Sequence, residues 1–292
     1  YAKIHFYMSV FLDSELIIND GRIYHLDLKP EDICKDVILV GDPNRVKVIA
    51  EKLDHIHFFR KNREFYSCKG SFNNKEILII STGIGTDNID IVINELDALI
   101  NINFSTRKVY LKKKSLNIYR LGTSGGIQKN DDEIVVSQYS IGLDGLAYYY
   151  KSKEFLNTQI AKKFKSSMNW PDALSFPYCV SCDCNLLKKF SPFKAGITVT
   201  ATGFYAPQGR NLRLVASIKN LHKKLEEFKY NDLRILNFEM ESSAIYFLSK
   251  MLDHKPITIC SVLSNRNIKT FKKDAKKIID KMIESSLRII SK

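Results

Sequence analysis

The sequence has no long hydrophobic run, since none of its apolar stretches reaches the ~18 residues that a membrane-spanning helix requires. The segment from Tyr1 to Asp13 is partly apolar, but no small-residue cleavage site follows it, which argues against a secretory signal. Extremes of composition are also absent, because 45% of the 292 residues are apolar and 26% are charged. These values exclude disordered and fibrous proteins. We expect a soluble, cytoplasmic, globular protein.

The sequence also lacks a complete set of metal ligands. Three of the six cysteines, Cys179, Cys182 and Cys184, lie close together. A zinc site needs a fourth ligand at a regular spacing, and the six scattered histidines supply none. Without a secretory context, free thiols are the expected state of these cysteines. We predict no bound metal.

Two familiar nucleotide-binding motifs are missing. Neither Gly83-Ile-Gly85 nor Gly122-Thr-Ser-Gly125 completes the three-glycine dinucleotide pattern, and no Gly-Lys-Ser/Thr loop occurs. A dinucleotide or nucleoside triphosphate site is therefore not supported. A smaller phosphate is compatible with these segments, because glycines let backbone N–H groups approach an anion closely.

Acidic residues are scarce relative to basic ones, 32 against 45, which gives a net charge of +13 and a pI near 9.3. One interpretation is a protein that binds nucleic acid or an anionic ligand. The other is compositional drift in a chain rich in Lys, Asn and Ile. We favour drift, because runs such as Lys112-Lys113-Lys114 and Lys272-Lys273 are typical of solvated surfaces and no RNA-binding signature accompanies them.

Short apolar runs alternate with amphipathic stretches, which indicates a layered α/β fold. Residues 37–40 are predicted as a buried strand, and a helix over about 43–53 follows with Asp42 as its N-cap. Strands are also expected at 77–80 and 117–121. The remaining predicted elements are a helix ending near 99, strands at 134–139, 196–200 and 257–263, and helices near 153–167, 212–228, 240–252 and 270–290.

Three of the predicted strands lead into glycine-rich segments, which begin at Gly41, Gly83 and Gly122 and which we expect to be turns. In open α/β sheets, ligands bind at the carboxyl ends of the strands. The sequence therefore predicts a site for a small anion where these three turns come together.

Eight short blocks lie between residues 23 and 266. They are Ile23-Tyr-His-Leu-Asp-Leu28, Gly41-Asp-Pro-Asn-Arg45-Val46, Arg63-Glu-Phe65, Ser81-Thr-Gly-Ile-Gly85, Arg120-Leu-Gly-Thr-Ser-Gly125, Gly203-Phe-Tyr-Ala-Pro-Gln-Gly-Arg210, Asn237-Phe-Glu-Met-Glu-Ser242 and Ser264-Asn-Arg266. Together and in this order they resemble the uridine phosphorylase branch of the nucleoside phosphorylase family. The resemblance implies a single-domain, three-layer α/β/α fold with a mixed central sheet over 21–292. It also implies an N-terminal extension over 1–20 and a variable insertion around 150–194.

The activity that the resemblance implies is reversible phosphorolysis, in which uridine and phosphate give uracil and ribose 1-phosphate. Phosphate is then a co-substrate, and no further cofactor is implied. The minimal active unit would be a homodimer, alone or within a hexamer, because family members share site residues between subunits. Neither nucleic acid nor a membrane is an implied partner.

The phosphate residues that the resemblance implies are Gly41, Arg45, Arg120 and Thr123, joined by Arg63 from a neighbouring subunit. Arginines supply forked donors that suit phosphate oxygens. Backbone and hydroxyl donors beside them would complete a site for a dianionic nucleophile.

The implied ribose residues are Glu239, Met240 and Glu241, with His25 donated by a neighbouring subunit. Glu241 would accept from the ribose hydroxyls and stabilise positive charge at the anomeric carbon. A glycosidase with Glu239 and Glu241 as its acid and nucleophile is opposed by their i, i+2 spacing, because such side chains do not share one helix face.

The implied base residues are Phe204, Gln208, Arg210 and Arg266. Gln208 can bond both a carbonyl and an N–H of uracil, and Arg210 can donate to the developing oxyanion. Purine members carry an Asp where this chain has Asn265, and an Asn cannot act as a general acid. The catalytic residues implied overall are Arg120, Gln208, Arg210 and Glu241.

The sequence departs from some bacterial members at Thr86-Asp-Asn88, which puts in doubt the monovalent cation site that those members build near the residue matching Glu64. Two alternatives stay open. One is a broader nucleoside phosphorylase that takes thymidine, deoxyuridine or purine nucleosides. The other is a basic nucleic-acid-binding protein on the same fold.

Overall fold

The computed structural model describes residues 10–129, 132–151, 154–265 and 270–292. The strands are β1 Ile18–Asn19, β2 Arg22–Ile23, β3 Asp36–Val40, β4 His55–Asn62, β5 Phe65–Phe72, β6 Lys75–Ser81, β7 Ile102–Asn103, β8 Lys108–Val109, β9 Asn117–Gly126, β10 Ile134–Gly142, β11 Tyr178–Ser181, β12 Lys194–Thr200, β13 Lys229–Tyr230, β14 Leu233–Glu239, β15 Lys255–Asn265 and β16 Thr270–Phe271. The α-helices are α1 Pro43–Ala50, α2 Thr86–Asn101, α3 Thr158–Met168, α4 Cys184–Lys189, α5 Leu221–Glu227, α6 Ser242–Met251 and α7 Ala275–Ile290.

The central sheet has the order β13-β14-β12-β10-β15-β9-β3-β6-β5-β4, with β11 on β10 and β16 on β15. The run β6-β3-β9-β15 is parallel, and so is β10-β12-β14. The two runs meet at the antiparallel pair β10–β15, and the hairpins β4-β5-β6 are antiparallel. The expected α/β fold with a mixed central sheet is therefore confirmed.

The sheet closes on itself at one end. β14 pairs with β9 as well as with β12, placing Asn237 opposite Gly126 and Phe238 opposite Gly125. The strands β14, β12, β10, β15 and β9 thus form a closed ring, which we call the five-strand ring. This closure brings the carboxyl ends of β9, β12 and β14 close together.

Buried apolar strands and amphipathic helices form the core. All five residues of β3 are buried, and α2 contributes its apolar face, including Ile89, Val92 and Leu96. The predicted N-cap of α1 is confirmed, because the Asp42 carboxylate accepts from the backbone N–H of Asn44 at 2.9 Å. Within the described ranges, no helix combines the length and apolar character needed to cross a bilayer.

One expected turn is a strand. The segment 122–126 continues β9, because β15 pairs with β9 along its whole length, from Lys255 opposite Asn117 to Asn265 opposite Gly126. The glycine at 122 has a packing reason: a side chain there would collide with the guanidinium of Arg120.

Three expected helices begin later than the sequence pattern indicates. The one near 153–167 begins at Thr158, because Asn157 caps it and accepts from the Ile160 N–H. The helix over 212–228 begins only at Leu221, because Asn220 takes a left-handed backbone conformation (φ 54°) and Leu212 and Leu214 are exposed, with no apolar face to bury. The helix over 270–290 begins at Ala275, because Phe271 lies in β16 and pairs with Ser264 of β15. The strands β4, β5, β11 and β14 were not predicted.

Candidate functional site

A cavity of about 480 Å³ lies at the carboxyl ends of β3, β9 and β14, and we call it the carboxyl-end cavity. Its lining comprises Gly41, Asp42, Pro43, Arg45, Ile84, Arg120, Thr123, Ser124, Gly125, Phe204, Gln208, Arg210, Phe238, Glu239, Met240, Glu241, Leu263, Ser264 and Phe271. This is the position at which the sequence predicted a small-anion site.

Arg120 lies in the floor of this cavity and is buried by β9 and its neighbours. Its guanidinium forms an ion pair with Glu241 and lies 3.4 Å from the Glu239 carboxylate. Burial acts to lower the pKa of Arg120, but the charges of Glu241 and Glu239 outweigh it and raise that pKa above its usual value. Arg120 is therefore a permanent cation held in place by two carboxylates.

The thiol of Cys260 lies behind the same guanidinium. Arg120 Nη1 donates to Cys260 Sγ at 3.7 Å, across the β9–β15 pairing. Burial raises the pKa of Cys260 to about 12, although the positive charge of Arg120 acts in the opposite direction. The thiol is therefore neutral and serves Arg120 as a weak acceptor.

Glu239 ends β14 and fixes the start of α6. Its carboxylate accepts from the backbone N–H groups of Glu241 at 3.0 Å and Ser242 at 2.9 Å, and from the Thr200 hydroxyl at 2.5 Å. Burial raises the pKa of Glu239, while the charge of Arg120 acts to lower it. These N–H groups have no partner within the helix, and they favour a negative charge on the Glu239 carboxylate.

Glu241 is held at both carboxylate oxygens. Its Oε1 accepts from the Gly85 N–H at 2.9 Å, and its Oε2 pairs with Arg120. The glycine at 85 has φ 108°, a conformation that L side chains rarely adopt. The glycine-rich turn after β6 therefore holds a carboxylate of this chain, whereas the sequence suggested a free anion for such a turn.

The predicted phosphate residues of this chain meet at one end of the cavity. Gly41 follows β3, Arg45 projects from α1, and Thr123 lies on β9 two residues after the buried strand position Leu121. Arg45 donates to the Leu121 carbonyl at 3.3 Å. Burial, followed by the charge of Arg120, lowers the pKa of Arg45, which is the expected effect of a second cation nearby. An anion placed between the two guanidiniums would relieve their repulsion.

Three of the four predicted base residues, Phe204, Gln208 and Arg210, form one cluster in the cavity lining. Arg210 donates to the side-chain oxygen of Gln208 and to the Phe204 carbonyl, the latter at 2.6 Å. Its guanidinium carbon lies 3.8 Å from the centre of the Phe204 ring. Gln208 is buried, whereas Phe204 is about half exposed. The cluster therefore presents an aromatic face and forked donors at one end of the cavity.

The two residues predicted to serve a neighbouring subunit do not line the carboxyl-end cavity of their own chain. His25 Nδ1 lies 2.6 Å from Glu95 Oε1, and Arg63 donates to the Tyr24 hydroxyl at 3.1 Å. The Arg63 guanidinium also lies over the Tyr24 ring, 5.4 Å from its centre. His25 and Arg63 thus flank the same tyrosine on one side of the molecule.

Arg266, the remaining predicted base residue, lies outside the described residues. Its neighbour Asn265 is buried, with its amide donating to the Gln128 carbonyl at 2.6 Å, and Ser264 lines the cavity instead. Five lining residues with apolar side chains had no predicted role: Pro43, Ile84, Phe238, Leu263 and Phe271. The first three lie inside the eight sequence blocks, so the motifs could have indicated them. Leu263 precedes one of these blocks, and Phe271 lay in a predicted helix.

The clustered cysteines do not come together with other ligands. Cys179 and Cys182 are buried, Cys184 is exposed, and all three are free thiols. Burial raises the pKa of Cys182 to about 12, which opposes thiolate formation. Across the described ranges, no group of three or more His, Cys, Asp or Glu side chains is arranged to hold a metal ion.

The chain is similar to known phosphorylases in sequence and in fold. A family model described as the phosphorylase superfamily matches residues 35–291. A uridine phosphorylase from Thermococcus kodakarensis is 25% identical over 277 residues, covering 93% of this chain and 88% of that protein. One from Haemophilus influenzae is 26% identical over 281 residues, covering 92% and 99%. A crystal structure of a Trypanosoma brucei nucleoside phosphorylase, described as showing uridine phosphorylase activity, has a TM-score of 0.83 at 28% identity and covers 94% of this chain and 99% of that one. The chain belongs to the phosphorylase superfamily.

Proposed function

We propose that this protein is a uridine phosphorylase, which converts uridine and phosphate reversibly into uracil and ribose 1-phosphate. The observation that carries the proposal is the carboxyl-end cavity, where two arginines, a buried glutamate and a Gln–Arg pair surround a space of about 480 Å³. The uridine phosphorylases among its relatives support the same substrate. Phosphate is the co-substrate, and the proposed steps call for no organic cofactor or metal ion.

Phosphate would bind between Arg45 and Arg120, with the Gly41 N–H and the Thr123 hydroxyl as further donors. Arg120 remains charged at every working pH because both carboxylates stabilise its cationic form. Two fixed cations attract and orient the dianion beside the sugar. Orientation of this kind replaces a bimolecular encounter by attack within a complex.

The ribose would lie over Met240 and Glu241. As the glycosidic bond breaks, positive charge grows at the anomeric carbon, and the Glu241 carboxylate stabilises that charge while it accepts from a ribose hydroxyl. The Gly85 N–H and Arg120 hold both Glu241 oxygens before substrate arrives. Glu239 acts through Arg120 and the start of α6, because its own lone pairs already accept from Thr200 and from backbone N–H groups.

As the glycosidic bond breaks, its electron pair leaves with the base, so negative charge develops on uracil. Gln208 would bond the uracil carbonyl and N–H edge, and Arg210 would donate to the developing oxyanion. Phe204 offers a face on which the base stacks. The contact between Arg210 and Gln208 supports binding of one planar ligand by both side chains.

The pyrimidine preference rests on Asn265. A carboxamide has no acidic proton to donate, and this one is buried, bonded to the Gln128 carbonyl and not part of the lining of the carboxyl-end cavity. A purine leaving group needs a proton at N7, and this segment supplies no carboxylic acid for it. The broader nucleoside phosphorylase is the second candidate, because the exposed side chains of Ile84, Phe204 and Phe271 leave the mouth open to a 5-methyl group.

We also infer that the working unit is a homodimer with shared sites. His25 and Arg63 lie together beside Tyr24 and outside their own chain's cavity. A second copy that brings this surface to the carboxyl-end cavity would add a cation for phosphate and a donor for the ribose 5′-hydroxyl.

The test is uridine consumption, followed by ultraviolet absorbance with and without phosphate, with thymidine and inosine in parallel. We expect loss of uridine only with phosphate, formation of ribose 1-phosphate, and no change in inosine. Cleavage without phosphate would contradict the roles of Arg45 and Arg120. Cleavage of inosine at a comparable rate would overturn the argument from Asn265.

A further inference from the structure

A second cavity lies at the opposite ends of the strands that carry the phosphate residues. It has a volume of about 630 Å³ and lies beside Lys35, which precedes β3, and the segment 114–116, which precedes β9. The carboxyl-end cavity begins one residue after β3, at Gly41. The two cavities are therefore separated by the length of a five-residue strand, ~16 Å at the usual rise per residue.

Three lysines of this cavity, which we call the lysine crevice, are Lys35, Lys112 and Lys114. The crevice has no Asp or Glu in its lining. Among the described residues, none of the three lysines has a carboxylate within ion-pair distance. Lys113, between two of them in sequence, does not line the crevice and interacts with Asp97 instead.

The walls of the lysine crevice are fixed by buried hydrogen bonds. Asn101, at the end of α2, is buried and accepts the Lys114 N–H at its side-chain oxygen at 2.7 Å, while its amide donates to the Lys114 carbonyl at 3.0 Å. The Asn101 carbonyl accepts from the Tyr110 N–H at 2.8 Å. The Lys35 carbonyl accepts from the Asn117 N–H, also at 2.8 Å. The backbone that carries the lysines is therefore preorganised.

The remaining lining is suited to a flat apolar group. The Tyr110 ring is 43% exposed, and the buried side chains of Leu99 and Ile100 lie behind the same crevice wall. Three cations beside an aromatic ring suit a ligand with phosphate at one end and a planar ring at the other. The volume lies within the range of small-molecule sites, ~300–1,000 Å³.

We propose that the lysine crevice binds a nucleotide, a nucleoside diphosphate in the first instance. Its phosphates would lie among Lys35, Lys112 and Lys114, and its base would pack against Tyr110. Nearby like charges favour the bound anion, because it relieves their mutual repulsion. The site is separate from the substrate cavity, so this inference does not depend on which nucleoside the enzyme cleaves.

The experiment measures ADP and UDP binding by isothermal titration calorimetry on the full chain. The crevice variant combines Lys35→Ala, Lys112→Ala and Lys114→Ala. A charge-matched control combines Lys188→Ala, Lys189→Ala and Lys194→Ala, three exposed lysines elsewhere. A third variant, Arg45→Ala, weakens anion binding at the carboxyl-end cavity and leaves the buried Arg120 cluster intact.

We expect at least one of the two nucleotides to bind to the wild type, to the charge-matched control and to the Arg45 variant. The crevice variant should bind it at least about tenfold more weakly, since it loses three charged donors to phosphate. Unchanged uridine phosphorolysis or, if that activity is absent, an unchanged melting temperature would show that the crevice variant is folded.

Three results would overturn the proposal. The first is no nucleotide binding to the wild type, and the second is binding to the crevice variant as tight as to the wild type, in which case loss of binding in the Arg45 variant would assign the site to the carboxyl-end cavity. The third is pyrophosphate or a single-stranded oligonucleotide binding as tightly as the nucleotides. Pyrophosphate would indicate an anion site without base recognition, and the oligonucleotide would indicate a nucleic-acid surface.

Discussion

Arg120 joins the sugar side of the carboxyl-end cavity to its phosphate side. It is buried between Glu239 and Glu241, and it also lies near enough to Arg45 to lower the pKa of that residue. Removing one member of a buried ionic cluster costs about 3–5 kcal/mol, because the remaining charges lose their partner. Arg120 is therefore expected to contribute to stability as well as to phosphate binding.

Replacement of Arg120 by Met should destabilise the protein by about 3–5 kcal/mol, since Glu239 and Glu241 would be left buried beside each other. Denaturant unfolding measures the loss. Arg210→Met is the matched control, because it removes a cation from the same cavity without exposing a carboxylate pair, and it should cost far less. In phosphorolysis, Arg120→Met should lower kcat/KM for phosphate by roughly 10²–10³-fold. Equal stability of the two variants would contradict this account.

Gln208 and Arg210 should behave as a coupled pair. Each change to Ala is expected to cost about 2–4 kcal/mol of transition-state stabilisation. This energy is calculated from the ratio of the kcat/KM values for uridine of wild type and variant. Because Arg210 donates to Gln208, the double variant should lose less transition-state stabilisation than the two single variants lose together. The difference, the coupling energy, should be about 0.5–3 kcal/mol. Strictly additive losses would mean that the two side chains act on the substrate independently.

At the scale of elements, β9 places Arg120 only because position 122 has no side chain. A Cβ built at Gly122 collides with the Arg120 guanidinium, whereas one at Gly125 meets nothing nearer than the Ser264 hydroxyl at 3.5 Å. Gly122→Ala should therefore lower the unfolding free energy by about 1–3 kcal/mol, the usual cost of overpacking. Gly125→Ala should change it by less than ~1 kcal/mol. Thermal unfolding of both variants tests this difference. Similar losses of unfolding free energy would contradict the packing argument for Gly122.

The sequence was informative where local signals were strong. The buried run of β3, the Asp42 cap of α1 and the periodicity of α2 all specify their elements within a few residues. The antiparallel strands β4 and β5 were missed, because polar and aromatic residues are mixed there and pairing with β6 determines the structure. The start of α7 was placed too early because β16 forms only by contact with β15.

Most of the described site was foreseeable from its motifs, because each motif combines a glycine-rich backbone with a charged or amide side chain. What the sequence did not specify is pairing. Nothing in it says that Gly85 holds Glu241, that Arg210 donates to Gln208, or that Cys260 lies behind Arg120. These contacts join residues from different strands and loops, so they depend on the sheet order.

At the scale of the whole molecule, His254 makes stability depend on pH. It is buried, accepts from the Leu116 N–H at 3.3 Å and lies 3.4 Å from Asp97. Burial lowers its pKa from 6.5 to about 4, with Asp253 acting in the opposite direction. The unfolded chain therefore binds more protons than the folded one between these values, and folding stability falls as pH falls through this window.

The matched measurement compares wild type, His254→Gln and the exposed-residue control His55→Gln in urea at several pH values from 6.5 to 4. Wild type should lose about 1.4 kcal/mol per pH unit more than the His254 variant. Asp97 is common to all three proteins, and its pKa, which burial raises, acts in the opposite direction. Parallel curves for wild type and His254→Gln would rule out this effect.

A shared site predicts complementation between inactive subunits. Neither His25→Ala nor Glu241→Ala alone should support full phosphorolysis, since each removes one half of every site. Co-refolding the two in equal amounts should restore roughly a quarter of wild-type activity, because half of the dimers are mixed and each has one intact site. No recovery in oligomers that are verified as mixed would exclude donation of His25 across the interface.

The five-strand ring gives the two halves of the proposed shared site different rigidity. One half is the residues in a subunit's own cavity, and the other is the residues it contributes to its partner. β9 and β14 lie within a closed circuit of hydrogen bonds, which leaves no edge from which to fray. Arg63 instead lies in the turn between β4 and β5, and β4 is the free edge of the sheet. A lone subunit would thus keep its own half of the site rigid. In the half that it contributes to a partner, His25 is held by Glu95, whereas Arg63 is less restrained. Docking of a second subunit would restrain the contributed residues. The activity per chain should therefore fall on dilution, before any folded structure is lost.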